Sequence, residues 1–103
     1  MVKTDRTHEA ATTEMFVNDP ELAAEYLNAV LADGDETDLM LALKSLSKAF
    51  GGVPEIARQA DVNAHTLYRT LSAQGNPELR TLASILRAMG MRLAIQPLKP
   101  LAS

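Results

Sequence analysis

Apolar residues recur at three- and four-residue intervals through most of the chain. Between residues 20 and 32 the stripe is Leu22, Ala23, Tyr26, Leu27, Val30 and Leu31, with Glu21 and Glu25 beside it. That spacing predicts an amphipathic helix. Pro20 suits its first turn, Asp19 or Asn18 its cap, and Asp33-Gly34 its end. A second stripe, Leu39, Leu43, Leu46 and Phe50 with Met40 and Ala49 adjoining, predicts a helix over 35–50. Asp35, Glu36 and Asp38 surround its first turn and Lys44 and Lys48 lie near its end, matching the helix dipole. Gly51-Gly52 stops it. Shorter patterns follow at 53–60, 64–72 and 78–89. The last carries Leu79, Leu82, Ala83, Ile85, Leu86 and Met89 and stops at Gly90. The period then changes. Met91, Leu93 and Ile95 alternate with Arg92, Ala94 and Gln96, which predicts a short strand. The expected fold class is all-α, five helices with a short C-terminal β-strand.

Residues 1–14 are polar and lack a sustained period. The expected organisation is a flexible lead-in over 1–19, an amphipathic helix over 20–34, and a domain over 35–98. Met15, Phe16 and Val17 form a short apolar patch able to pack on the domain or on a partner.

The stretch VPEIARQADVNAHTLYRTLS, residues 53–72, is the organising feature. Ile56, Ala57 and Ala60 give one small apolar face, and Leu67 and Leu71 give another. Between them Val62 can plug a corner, Asn63 can cap the second helix, and Asp61 falls where the backbone needs a positive φ. Two short helices at such a turn make a helix-turn-helix unit, whose second helix can enter a DNA major groove. With Leu67 and Leu71 inward, Ala64, His65, Tyr68, Arg69 and Ser72 lie outward, with Asn63 and Thr66 at the leading end. Arg69 has the donor fork for guanine or phosphate. His65 can donate to a base acceptor or phosphate, or remain an exposed helix residue; Tyr68 can donate its hydroxyl to phosphate or pack against a thymine methyl, or be a half-buried core aromatic. Asn63 fits a cap better than a base reader, and the Thr66 and Ser72 hydroxyls can serve phosphate or their own helix. Lys44, Lys48, Arg58 and Arg80 are candidates for backbone contacts, which position without specifying.

Charge sharpens this picture. Net charge is −3, but residues 1–43 hold ten acidic and two basic side chains, whereas residues 44–103 hold three acidic and eight basic ones. The helix-turn-helix pattern lies in the positive part, as nucleic-acid binding requires. The chain has no cysteine, which excludes a disulfide framework and a thiolate metal site. Two distant histidines, no base for the serines and no phosphate-loop fingerprint argue against an enzyme, a metal site or a cofactor. No apolar run is long enough to span a membrane, and the first ten residues lack a signal-peptide core, so a cytoplasmic protein is expected.

Four segments resemble a known family: YLNAVLADGD at 26–35, IARQADV at 56–62, TLYRTLSAQGNPELRTL at 66–82 and MGMRLAIQP at 89–97. The helix-turn-helix part resembles the lambda-repressor, or Xre, type. More narrowly, the chain resembles HigA-like addiction-module antidotes. The resemblance implies an antitoxin that neutralises a small basic RelE/ParE-like toxin and, as a homodimer, represses its own operon by binding double-stranded operator DNA. The recognition surface it implies is Asn63, Ala64, His65, Tyr68 and Arg69. The acidic leading region, with Phe16, Leu22, Tyr26, Leu27 and Val30, is the expected toxin contact, and Met91, Leu93 and Ile95 the expected dimer contact. Val53 stands where many related motifs have glutamine, and Asp61 where many have glycine. The alternative reading is a stand-alone Xre-type transcription regulator without a toxin.

Overall fold

A computed structural model describes residues 15–98. Residues 15–18 are helical (α1) and lead into α2, Pro20–Asp33. Asp19 caps α2 by accepting from the Leu22 amide at 3.1 Å. Helix α3, Glu36–Ser47, starts in a capping box: Asp35 accepts from the Asp38 amide at 3.0 Å and Asp38 accepts from the Asp35 amide at 3.1 Å. These reciprocal bonds satisfy two amides that the first turn leaves open. The predicted helix over 35–50 tightens at its end into a 3₁₀ turn, Lys48–Phe50. Gly51 then takes φ 100° and Gly52 φ 90°, and the Gly52 amide reaches back to the Ser47 carbonyl. Helices α4 (Val53–Ala60), α5 (Ala64–Thr70) and α6 (Leu79–Ala88) complete the order.

Helix α2 packs on α3, while α4 packs on both α5 and α6. Their stripes converge on one core. Leu43, Leu46, Ile56, Leu67, Leu71, Ile85 and Met89 are its largest fully buried apolar side chains. Each contributes about 1.5–3 kcal/mol relative to an exposed position. Ser47 is buried among them, and its hydroxyl donates to the Lys44 carbonyl at 2.6 Å, so no polar atom is stranded there. On α2 the inward positions are Ala23 and Leu27; Leu22 and Val30 flank them, and Tyr26 and Leu31 turn outward.

The expected architecture of five helices and a terminal strand is corrected in two respects. Six α-helical segments are present among the described residues, because α1 precedes the anticipated five. No described residue forms a β-strand; residues 91–97 form no regular element. Alternating side chains favour a strand only where a ladder partner takes up the backbone amides and carbonyls. The helices around 91–97 offer no such edge, and residues 92–98 remain exposed. Met91 alone is tied in: its amide donates to the Leu86 carbonyl at 2.9 Å, after Gly90 turns the chain at φ 81°.

Candidate functional site

Helices α4 and α5 meet at a three-residue corner. Asp61 takes φ 59°, ψ 46°, the left-handed conformation anticipated for it, and is the only non-glycine residue with positive φ among those described. The turn lets the Val62 amide donate to the Ala57 carbonyl at 2.9 Å, closing α4 in a Schellman-type arrangement. Val62 is half-buried against the core, as a plug for the corner should be. Asn63 then starts α5: its side-chain oxygen accepts from the amides of His65 at 2.8 Å and Thr66 at 3.3 Å. Its carboxamide oxygen is thereby occupied as a cap.

Leu67 and Leu71 anchor α5 in the core, although the helix ends at Thr70 instead of 72. His65, Thr66, Tyr68 and Arg69 are exposed on its other side, with Tyr68 at 48%. Ala64 is half-buried and packs on the core, so it lies at the margin of this face. The Ser72 hydroxyl donates to the Arg69 carbonyl at 2.6 Å, serving its own helix end. Among the flanking cations, Lys44, Lys48 and Arg80 are exposed on α3, the 3₁₀ turn and α6. Arg58 is held by Glu55 through two contacts, Nε to Oε1 at 3.0 Å and Nη2 to Oε2 at 2.5 Å. Gln59 adds a bond to Glu55 at 2.6 Å. These bonds, Arg58 foremost, lower the Glu55 carboxyl from 4.5 to about 2 and raise the Arg58 guanidinium. A phosphate at Arg58 would have to compete with that carboxylate. Val53, at the head of α4, is buried and belongs to the core.

The segment after α5 adds residues that periodicity left aside. Gln74, Gly75 and Asn76 fold back beside Thr66, Arg69, Thr70 and Ser72 to form a polar recess. The Gly75 amide donates to the Ser72 carbonyl at 2.9 Å, and any β-carbon at Gly75 would overlap the Thr70 carbonyl. The glycine in GNPELR is the sequence signal for this close approach, beyond simply ending a helix. Thr37 at the head of α3 reaches the Ala73 carbonyl at 3.4 Å.

A second surface lies on α1 and α2. Phe16 and Tyr26 stack with ring centroids 5.2 Å apart. Tyr26 is 37% exposed, and beside it Ala29, Val30, Asp33, Gly34 and Asp38 line a shallow depression. Leu22 and Val30 are half-buried. Leu27 is only 5% exposed and is a core residue, so a partner could reach it only by opening the domain. Of the expected dimer contacts, Met91 packs half-buried on the core, whereas Leu93 and Ile95 are exposed. No described group of three or more His, Asp or Glu side chains is placed to hold a metal ion. No described helix is long and apolar enough to cross a membrane.

Residues 8–97 match the family described as "Probable addiction module antidote protein". A Haemophilus influenzae protein, described only as "Uncharacterized protein", is 30% identical over 71 residues, covering 69% of this chain and 72% of the relative. No solved structure matches the chain. The match along residues 8–97 makes the chain a member of the addiction-module antidote family.

Proposed function

We propose that the protein is an antitoxin which neutralises a small basic RelE/ParE-like toxin and represses its own operon through α4 and α5. The observation that carries the DNA half is the corner itself. Asp61 in the left-handed region and the Asn63 cap set α5 off α4, with His65, Thr66, Tyr68 and Arg69 outward. In this reading α5 enters the major groove, Arg69 reads a guanine edge or grips a phosphate, and His65 and Tyr68 contact neighbouring groups. Thr66, Ser72, Arg80, Lys44 and Lys48 would serve the flanking backbone, positioning the protein without specifying sequence. Ala64 supports close approach, Asn63 acts through its cap, and Arg58 contributes once it leaves Glu55.

The toxin half is supported by charge and by family membership. Helix α2 carries Glu21, Glu25 and Asp33 and no basic residue, beside the Phe16–Tyr26 stack. An apolar patch with an acidic surround suits a cationic protein, with Phe16, Leu22, Tyr26 and Val30 as contacts and Leu27 as their support. Neutralisation is stoichiometric binding, without a chemical step.

Binding of the full chain to the DNA upstream of its own gene tests the reading. At fixed salt, Arg69→Ala should weaken binding by about tenfold or more, the scale of a lost bidentate contact. It should leave the helical content unchanged. Equal operator binding by the two proteins removes α5 from the mechanism.

A further inference from the structure

When the second helix of a helix-turn-helix enters a groove, the first crosses the phosphate backbone. Helix α4 is that first helix here, and Arg58, in its last turn, is the one basic residue in its sequence. The Arg58 carbonyl accepts the Asp61 amide at the corner. Its side chain runs the other way, back to Glu55, with Nε on Oε1 and Nη2 on Oε2. That two-point fork is also how arginine grips a phosphate. Glu55 therefore takes, from within the same helix, the place that a DNA phosphate would take on Arg58.

The acid is anchored and the cation is open. Gln59 donates its side-chain amide to Glu55 Oε2 at 2.6 Å. A β-carbon at Gly51 would come 2.9 Å from Glu55 Cγ, so the stem of the acid lies against the turn before α4. The Glu55 side chain is 34% exposed and that of Arg58 71%. The bonds from Arg58 and Gln59 hold the Glu55 carboxyl at about 2, so the competitor is ionised at neutral pH.

We propose that Glu55 sets the affinity of the chain for DNA: it withholds Arg58 from the phosphate backbone, lowers binding to any duplex, and leaves discrimination to α5. Backbone contacts carry no sequence information, so a cation withheld from them costs affinity and no specificity. The inference rests on the DNA-binding reading above and names the residue that tempers it.

Fluorescence anisotropy tests it, with the full chain on the DNA upstream of its own gene and on an unrelated duplex of equal length, at several salt concentrations. Glu55→Gln should bind both duplexes about fivefold more tightly, the scale of an exposed ion pair released. Its slope of log affinity against log salt should steepen by about one, with helical circular dichroism unchanged. Arg58→Gln should cost less than about twofold in the wild type, where the side chain is already engaged, and about fivefold in the Glu55→Gln background. Equal affinity of wild type and Glu55→Gln on both duplexes overturns the inference. So does an equal cost of Arg58→Gln in the two backgrounds, which makes Glu55 a source of general repulsion only. A wild type that binds both duplexes alike counts against the operator reading, while a tighter Glu55→Gln still upholds the role of Glu55. No binding of either duplex by either protein overturns both.

Discussion

Asp61 carries the least favourable backbone geometry in the helix-turn-helix corner. Its left-handed conformation crowds the β-carbon against the following carbonyl, a cost glycine does not have. Asp61→Gly should raise the unfolding free energy by about 0.5–1 kcal/mol in urea denaturation, because relief of this strain exceeds the added freedom of the unfolded chain. Asn63 acts in the opposite sense. Asn63→Ala leaves two amides of α5 uncapped and should cost about 1 kcal/mol, with operator affinity falling as the first turn frays. Both roles were legible in the sequence because a cap and a left-handed turn are local chemistry. Capture of Arg58 was not anticipated: three-residue spacing from Glu55 permits a pair, but reading Arg58 for phosphate passed over it. The Glu55 carboxyl is depressed in the folded chain, so its stabilising effect is present above pH 4.5 and fades as pH falls towards 2. Thermal melts should therefore show wild type above Glu55→Gln at neutral pH, with the difference disappearing in that acid range.

At the scale of elements, α5 depends on its neighbours. Seven residues are too few for a helix to persist alone in water. Leu67 and Leu71 hold it, and Leu67→Ala should cost about 2–5 kcal/mol in chemical denaturation, taking operator binding with it. The segment behind α5 is held as closely: Gly75→Ala must push Thr70 away and should cost about 1–3 kcal/mol. The helices after residue 19 were legible because each buries a stripe at helical spacing, and Gly34, Gly51 and Gly90 mark their ends. Residues 91–97 show where such reading fails. Alternation specifies which side chains share a face but supplies no partner for the backbone. The close fit at Gly75 escaped for a related reason, since a glycine after a helix reads as a stop until the opposing carbonyl is known.

Across the whole molecule, the division of charge gives the proposed activities separate ground. The acidic surface of α2 and the exposed side of α5 lie on different elements, so each can be altered alone. Replacing Glu21, Glu25 and Asp33 together with glutamine should slow association with a basic toxin about tenfold and flatten its salt dependence, leaving operator binding in place. The charge split was legible from composition, and so was Asp19 as a candidate cap; that Asp35 and Asp38 are held in a reciprocal capping box required the fold. The most direct measurement of the antitoxin reading is growth of cells expressing the small gene beside this one, with and without the full chain, followed by co-purification. The account predicts toxicity from that gene alone, recovery when the chain is present, and a stable complex of the two proteins. Confirmed expression of both with no toxicity and no complex would contradict it and leave a DNA-binding regulator without a toxin.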